Sequence, residues 1–376
     1  MPRNSKKRLC IFSPLNNVYS ETFIKHHIDR LPFEKMVVNG PTLIDVSISG
    51  KKLYRNNIIN RVINKVFNDR VKKTERKLKR AIMDFAPSMV LFEYGHIGAV
   101  FYKYCVELDI PFIVHFHGND ASHKPTIDLY GKTYVDMFEN AKAIVAVSLS
   151  MCQRLYMLGA PQKKLHYIPY GVDLKFFKPN KEEKLEDSRS LICVGRFVEK
   201  KAPYLTIIAF KNIADKFTDV KLQLVGNGPL LDTCKQMVKA FSLQERVMFL
   251  GVKTPDEISR LLNSSYLFLQ HSVIDNDGGA EGTPNSILEA SASGLPVIST
   301  IHEGIPDVII DGETGLLVEE LDVDGMSSAI EDLLSNDYKR NQMGIAGRKR
   351  IEKHFCLDQQ IAKLGTLIFK CINPID

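Results

Sequence analysis

Short apolar runs rich in β-branched residues alternate along this chain with stretches in which apolar residues recur at helical spacing. The first half contains six such runs: LCIFS, MVVNG, MVLFEYG, FIVHFHG, AIVAVS and LHYIPYG. The second half contains six more: SLICVGRF, KLQLVGNG, VMFLGV, YLFLQHS, LPVIST and GLLV. Strands that alternate with helices form βα units, which assemble into parallel sheets. The pattern therefore predicts an α/β protein of doubly wound parallel sheets.

Length and one polar interruption predict two domains. A chain of 376 residues with 44% hydrophobic content can bury two cores. The segment PNKEEKLEDSR, which starts at Pro179, is charged and almost free of apolar residues, as a linker should be. We predict domains over residues 1–179 and 180–356 and a final segment over 357–376. The carboxyl ends of the two sets of strands should face each other across a cleft, with residues 170–179 as a hinge.

One segment, EGTPNSILE at residues 281–289, predicts a short helix entered through a glycine loop. Thr283 is a favourable N-cap and Pro284 fits the first helical position. Gly294 followed by Pro296 supplies the stop. The amides at the helix start would attract an anion such as a phosphate.

This segment places one acid in the loop and another inside the helix. Glu289 lies among apolar neighbours, where an ionised carboxylate is costly unless something binds it. The alternative is an ordinary capped helix in which Glu281 is solvated and Glu289 lies at the edge.

Composition restricts the remaining classes. No apolar run approaches the roughly 18 to 20 residues that span a bilayer, and LCIF is too short for a secretion signal. Seven cysteines are scattered singly, which suits reduced thiols better than disulfides or a zinc site. We therefore expect a cytoplasmic protein.

Charge is distributed unevenly. Residues 1–179 hold 28 Lys and Arg against 15 Asp and Glu, whereas the remainder holds 22 against 29. Much of the excess lies in residues 51–80, where an apolar helical stripe has a basic opposite face. This stripe could lie on an anionic membrane surface or simply pack on its own domain, and the sequence favours neither. No nucleic-acid-binding motif accompanies the charge.

Four motifs occur together in a recognisable order. They are HFHGND at 115–120, an interdomain stretch ending in YGVDLKFF, VGRFVEKKAP at 194–203, and the two glutamates of EGTPNSILE followed by GIPDVIIDGETGLLV. Together they resemble the retaining nucleotide-sugar glycosyltransferases of family 4, which have the GT-B fold. SETFI, near the N-terminus, resembles the subgroup that builds bacterial exopolysaccharide and lipopolysaccharide, of colanic-acid type.

The resemblance implies a role for each half of the chain. The N-terminal domain would bind the acceptor and the C-terminal domain the nucleotide-sugar donor. In this fold the last helix commonly crosses back to the first domain, and residues 357–371 could do so.

The resemblance also implies a donor site. Arg196 and Lys201 would contact the pyrophosphate, although Lys200 is an open alternative to Lys201. Glu281 would bind hydroxyls of the donor sugar and Glu289 the ribose. The other donor-side residues implied are Gly195, Gly226, Asn227, Gly282, Thr283, Pro284 and Asn285.

The implied catalytic residues are His117, Glu281, Arg196 and Lys201. His117 would lie at the reacting sugar, and a structural role is open for His115, which points the same way on a strand. Asp120 could position the acceptor. Asn17, Ser20 and Glu21 are further acceptor-side candidates, although relatives carry a double glycine where this chain has Asn16 and Asn17.

The resulting prediction is a metal-independent, retaining hexosyltransferase of bacterial surface polysaccharide synthesis. Its donor would be UDP- or GDP-linked, its acceptor a glycan or lipid-linked glycan, and no cofactor is expected. It would act in the cytoplasm, peripherally at the inner membrane face. The alternatives are a sugar-nucleotide 2-epimerase of the same fold and a catalytically silent partner that binds a nucleotide sugar or stabilises another transferase.

Three motifs resemble other sites. VGNGPLL lacks the third glycine of a dinucleotide fingerprint. Asp275 and Asp277 could hold Mg²⁺ but more simply are surface aspartates. Asp322 and Asp324 are typical of a helix start.

Overall fold

The computed structural model describes residues 7–14, 22–40, 47–48, 51–52, 64–180 and 189–373. The chain forms two compact units. The first comprises Met1–Val147, Met151–Ile168 and Ile361–Asp376, and the second Ser148–Ser150 and Pro169–Gln360. The predicted boundary at residue 179 lies eleven positions beyond the point where the units exchange. Asn17, Ser20, Glu21, part of the basic stripe (53–63) and most of the predicted linker (181–188) lie outside the described residues.

The first unit alternates strands and helices. Its described strands are β1 (Arg8–Ser13), β2 (Glu34–Asn39), β3 (Ser47–Ile48), β4 (Lys51–Lys52), β5 (Met89–Glu93), β6 (Phe112–Phe116), β7 (Ala143–Ala146) and β8 (Leu165–Tyr167). Its helices are α1 (Thr22–Arg30), α2 (Asn64–Phe85), α3 (Gly95–Glu107), α4 (Asn119–Ser122), α5 (Lys124–Asn140) and α6 (Leu149–Met157), whose first two residues belong to the second unit.

The strand order of the first sheet is β4-β3-β2-β1-β5-β6-β7-β8. Among these described strands, β3 is the one that runs antiparallel to the others. The chain moves outward from β1 to β4 and then returns to the other side of β1 with β5. Strands β1, β5, β6 and β7 are almost wholly buried because helices cover both faces. The reversal between β1 and β5 is a topological switch point, where α/β folds bind ligands.

The second unit repeats this plan with the described strands β9 (Arg189–Val194), β10 (Val220–Val225), β11 (Val247–Gly251), β12 (Leu267–Gln270), β13 (Val297–Thr300) and β14 (Gly315–Val318). They form a parallel sheet in the order β11-β10-β9-β12-β13-β14. The switch point lies between β9 and β12. The helices are α7 (Pro203–Ala214), α8 (Leu231–Ala240), α9 (Pro255–Asn263), α10 (Asn285–Ala292), α11 (Ile305–Val308), α12 (Val323–Ser335) and α13 (Asp337–His354).

The last helix, α14 (Leu357–Ile372), belongs to the second unit only as far as Gln360. Its later residues are part of the first unit. There Phe369 packs on Phe33 with ring centroids 4.7 Å apart, and the buried Leu364 and Ile368 continue the apolar face. An apolar stripe at helical spacing thus attaches the end of the chain to the N-terminal unit.

Helix α2 carries the described part of the basic stripe. Thr74, Leu78 and Ile82 are buried, so its apolar face packs within the first unit. The exposed face includes Lys72, Lys73, Arg76 and Lys77. Among the described residues, no helix is both long enough and apolar enough to span a membrane.

Helix α13 packs closely against the end of α10 through a glycine. A Cβ on Gly344 would lie 2.2 Å from the backbone oxygen of Gly294, the residue that ends the α10 turn with φ +75°. Arg348, one helical turn later, donates to the backbone oxygens of Ala292 and Phe177. Helix α10 is therefore held at its carboxyl end by backbone contact and by a guanidinium.

Replacing Gly344 by Ala should destabilise the protein, although alanine is the better helix former. The added Cβ would contact backbone, which cannot rotate away, so we expect a loss of about 1–3 kcal/mol in the free energy of unfolding. Gly131→Ala in α5 is the matched control, since its Cβ would meet only Ile127 at 3.4 Å. The control should be neutral or gain up to about 1 kcal/mol. Urea unfolding measures both, and equal effects would contradict the close packing.

Candidate functional site

The switch point of the second sheet holds a pocket at the carboxyl ends of its strands. Gly195, Arg196 and Lys201 line it from the segment after β9, and Gln270 lines it from the end of β12. Arg196 is exposed, and within the described ranges its guanidinium forms no ion pair or hydrogen bond. The pocket thus has a cation available for a ligand.

Two glycines bring the ends of β9 and β10 together beside this pocket. The amide of Gly195 donates to the backbone oxygen of Val225 at 2.9 Å. Gly226 has φ +136°, and a Cβ there would lie 1.9 Å from the oxygen of Gly195. Only glycine fits such an approach. Asn227, which follows, is exposed, and its side-chain oxygen accepts from the amide of Gly228.

Lys201 forms a buried ion pair with Glu281. Its Nζ lies 3.0 Å from Glu281 Oε2, and both side chains are less than 15% exposed. Burial raises the pKa of Glu281, but the charges of Lys201 and Lys200 outweigh this effect and hold that pKa at about 2. Glu281 is therefore ionised at neutral pH. Its other oxygen, Oε1, is buried and accepts no hydrogen bond from the described residues.

The alternative cation, Lys200, is also brought to Glu281. Its Nζ donates to the backbone oxygen of Ala280 at 2.9 Å and lies 3.7 Å from Glu281 Oε1. Burial lowers the pKa of Lys200, opposed by Glu281. Ala202, immediately after the pair, has φ +36°, a left-handed conformation that is strained for alanine. The turn that presents both lysines is therefore held by its surroundings.

A histidine that sequence reasoning missed supports the same loop. His302, after β13, is buried, and its Nε2 accepts from the backbone amide of Glu281 at 3.1 Å. Its Nδ1 lies 2.6 Å from Glu320 Oε1, after β14. The only signal in the sequence was a histidine two residues after the apolar run LPVIST.

Helix α10 carries the second glutamate and corrects the predicted cap. The helix begins at Asn285 with Pro284 in the N-cap position and no side-chain cap. Thr283 does not cap because its hydroxyl accepts instead from the amide of Tyr170 at 3.4 Å. Gly282, before it, is packed so closely that a Cβ on Gly304 would meet its oxygen at 2.3 Å.

Glu289 lies half-buried on α10. Burial raises the pKa of Glu289 to about 8, opposed by Lys201. Glu281 and Glu289 thus differ in charge near pH 7 although both are in one short segment, because among the described residues only Glu281 has a cation at contact distance.

In the first unit, His117 belongs to a buried cluster around Glu93, at the end of β5. Glu93 Oε2 lies 2.9 Å from His117 Nε2, and Oε1 lies 2.8 Å from His27 Nδ1. Burial raises the pKa of Glu93, but His27 and His117 outweigh it and hold that pKa well below its usual range. His115 lies 3.6 Å from Glu93, and neither ring nitrogen of this buried residue has a hydrogen-bond partner among the described residues.

Sequence reasoning missed Glu93 and His27. The signal for Glu93 was an acid that ends the apolar run MVLFE, which is costly in a buried strand. It lies beside the switch point between β1 and β5. The next residue, Tyr94, has φ +80°, so the backbone is strained where the cluster forms.

The carboxylate of Asp120 serves the backbone. It accepts hydrogen bonds from the amides of His117, Gly118 and Gly95, at 2.8–3.0 Å for the shortest contact with each. Asp120 is only 1% exposed. It therefore fixes the loop that carries His117, and its geometry points to that role rather than to a solvent-facing contact.

Within the described residues, one group has donor atoms close enough to share a metal ion: His27, Glu93 and His115 lie within 4.8 Å of one another. The rings of His27 and His115 stack at 21° with centroids 5.2 Å apart, so they present faces rather than lone pairs to each other. Within this group His27 shares a hydrogen bond with Glu93, whereas His115 forms none with the described residues.

The two D-x-D motifs are used locally. Asp275 accepts from the amides of Asp277 and Gly279 within its own loop. Asp322 is the N-cap of α12 and accepts from Gly325, as predicted.

Two family models match consecutive parts of this chain. Residues 50–176 match the model described as Glycosyltransferase Family 4, and residues 175–350 match Glycosyl transferases group 1. The chain belongs to the group 1/family 4 glycosyltransferases.

Curated relatives of this glycosyltransferase are distant. It is 26% identical over 253 residues to WcaL of Salmonella typhimurium, which is named for colanic acid biosynthesis. The aligned region covers 66% of this chain and 62% of WcaL. It is 27% identical over 281 residues to the amylovoran biosynthesis glycosyltransferase AmsK of Erwinia amylovora, and the aligned region covers 74% of this chain and 68% of AmsK. The match thus spans less than two thirds of WcaL.

Solved structures confirm the predicted GT-B fold. The sucrose-phosphate synthase of Thermosynechococcus elongatus superposes with a TM-score of 0.78 at 17% identity, over 97% of this chain and 99% of that one. Anabaena Alr3699/HepE in complex with UDP gives 0.78 at 13% identity, over 97% and 100%.

Replacing Glu93 by Gln in this glycosyltransferase should destabilise it in a pH-dependent way. The carboxylate stabilises the fold above its unfolded pKa, and that stabilisation is lost as pH falls towards the lower folded pKa. We expect a loss of about 3 kcal/mol at pH 7 that narrows below about pH 4.5. Urea unfolding across pH measures the gap. Glu107→Gln, at an exposed site, should show almost none, and a pH-independent gap for Glu93→Gln would contradict its ionisation.

Proposed function

We propose that this protein transfers a sugar from a UDP- or GDP-linked nucleotide sugar to a glycan or lipid-linked glycan, with retention of the anomeric configuration. The observation that carries the proposal is the buried Lys201–Glu281 pair beside exposed Arg196, at the switch point of the second sheet. Family membership supports it.

The donor pyrophosphate would lie against Arg196 and Lys201. Arg196 offers a bidentate fork and Lys201 a point charge, so together they match the charge that develops on a leaving diphosphate. The approach of Gly195 and Gly226 leaves no side chain between the strand ends and a ligand. These cations supply positive charge without a metal, and we propose a metal-independent reaction.

Glu281 suits the donor sugar. Ionised and buried, it holds one oxygen on Lys201 and leaves Oε1 without a hydrogen bond from the described residues. A sugar hydroxyl would satisfy that oxygen, and such an unpaired buried acceptor is costly unless a ligand uses it. Glu289, on the next helix, would bind the ribose hydroxyls.

The reaction would proceed on one face of the sugar. The bond from the anomeric carbon to the diphosphate oxygen breaks, the acceptor oxygen bonds to that carbon, and the acceptor proton passes to the leaving phosphate. No carboxylate nucleophile is needed, so Glu281 and Glu289 are not a glycosidase pair. His117, held by Glu93, would contact the reacting sugar. Asn17, Ser20 and Glu21 would lie on the acceptor side, and Asp120 would act there by holding the loop that carries His117.

The proposed acceptor and location rest on the names of two relatives and on the exposed basic face of α2. WcaL and AmsK are named for polysaccharide biosynthesis, which supports a bacterial surface glycan as product. The exposed basic face of α2 would attract an anionic membrane, so we propose peripheral attachment at the cytoplasmic face. The first unit would then bind acceptor and the second donor.

The test is titration calorimetry with UDP, GDP, ADP and TDP, with and without EDTA. We expect one diphosphate to bind, unaffected by EDTA and weakened about tenfold or more in Glu289→Ala, which loses the ribose contact. Asp277→Asn, in the neighbouring D-x-D, is the matched control and should bind normally. Binding by none of the four would favour a catalytically silent partner that stabilises another transferase. Turnover of the nucleotide sugar without acceptor, to an epimer, would favour a 2-epimerase.

Membrane attachment has its own test. Flotation with anionic vesicles at low salt should recover the wild type, and reversing Lys72, Lys73, Arg76 and Lys77 to Glu should reduce recovery at least about tenfold. The control reverses four exposed lysines of the second unit, Lys235, Lys239, Lys349 and Lys353, for the same change in net charge. Equal loss in both variants would mean that net charge, not the α2 face, binds the membrane.

A further inference from the structure

The imidazole of His302 links the backbone of Glu281 to the side chain of Glu320. Its side chain is fully buried, between the backbone of the Glu281 loop and the carboxylate of Glu320. The second oxygen of Glu320 accepts from the amide of Ile274 at 2.9 Å, so this carboxylate is itself fixed. Three separate segments therefore meet at one imidazole.

The contacts decide which nitrogen of His302 carries the proton. A backbone amide can only donate, so Nε2, 3.1 Å from the Glu281 nitrogen, must accept through an unprotonated lone pair. The single proton of a neutral imidazole is then on Nδ1, where it is donated to Glu320. The other tautomer fits neither contact. Its Nε2–H would face the N–H donor of Glu281, and its Nδ1 would have no proton to donate to Glu320.

The loop around Glu281 depends on such contacts. Residues 271–284 contain no helix or strand, so side chains hold the loop in place. Lys200 binds the oxygen of Ala280, Lys201 binds the carboxylate of Glu281, and His302 binds its amide. Of the three side chains, the imidazole is the one whose nitrogen can act either as a hydrogen-bond acceptor or, when protonated, as a donor.

We propose that His302 is a positioning residue that holds Glu281 for the donor only while it is neutral and Nδ1-protonated, and that its protonation releases the Glu281 backbone. The proposal rests on the donor-side role of Glu281 proposed above. It adds a pH dependence to that site: the second proton converts Nε2 from acceptor to donor, and the hydrogen bond to the amide is lost.

Several charged groups face this imidazole and the carboxylate that holds it. Glu320 contacts it directly, and the charge of Glu281 interacts with it. Lys200 and Lys201 in turn pair with Glu281. His271 interacts with Glu320 and Asp322. Its own Nε2 accepts from the amide of Leu321, so two histidines at neighbouring strand ends serve as backbone acceptors.

The first test needs no ligand. Nitrogen NMR of the full chain labelled in histidine and backbone amides should show His302 at pH 7.5 with protonated Nδ1 and unprotonated Nε2. On acidification, the Glu281 amide signal should shift together with the His302 ring. In His302→Gln, whose side-chain oxygen can accept from the amide but cannot titrate in this range, that shift should vanish. His354→Gln, at an exposed site, should leave it unchanged.

The second test measures donor affinity with UDP-glucose and GDP-mannose as probes at pH 7.5 and 5.5. The wild type should lose about five- to tenfold more affinity on acidification than His302→Gln, the effect of one hydrogen bond. Glu289, which also titrates, is common to both proteins and cancels in the comparison. In Glu320→Gln the acid loss should move to lower pH, because a charge that favours the imidazolium is gone.

The outcomes separate the two proposals. An Nε2–H tautomer, a Glu281 amide that ignores His302, or the same pH profile in His302→Gln would overturn the positioning role. If no diphosphate binds in the calorimetric titration while the NMR behaves as expected, the proposed function is contradicted but the coupling of His302 to Glu281 stands. If His302→Gln does not fold, Glu320→Gln carries the test through the position of its acid transition.

Discussion

The cost of burying a carboxylate constrains both units of this protein. An ionised acid away from water must find cations, hydrogen-bond donors or a proton. Asp120 uses three backbone amides, Glu93 two imidazoles and Glu281 two lysines. Glu289 lacks a cation at contact distance, so its pKa rises to about 8. The charge state of each acid therefore depends on which of these partners surrounds it.

These acids gather where they do because of strand order. In a parallel sheet, the segments after neighbouring strands emerge at one edge, and a reversal of winding separates two of them enough to leave a pocket. The strands β9, β12, β13 and β14 are consecutive in the second sheet. Gln270 ends β12, and Lys201, His302 and Glu320 follow the other three strands. Glu93 ends β5 beside the corresponding reversal in the first sheet. A loop without regular structure can then be held at several points by side chains from rigid strands.

The local patterns of the sequence determined a large part of the fold. Alternation of apolar runs and helical stretches gave the βα units, and Gly294 marked the end of α10, because strand and helix periodicity and turn chemistry act within a few residues. The chain length and the hydrophobic content together predicted two hydrophobic cores. The motifs around Arg196, Lys201, Glu281 and Glu289 pointed to the segments that we propose bind the donor, since each lies next to a strand or helix end that can be read locally.

Only the tertiary structure decided how those segments pair. Lys201 meets Glu281 across eighty positions, Glu93 selects His27 and His117, and Thr283 turns its hydroxyl to Tyr170 instead of capping its own helix. The support of Glu281 by His302 and Glu320 was equally invisible in the sequence. Such contacts depend on which strands become neighbours and on which buried polar groups still need partners. Both are properties of the whole sheet, so sequence spacing does not contain them.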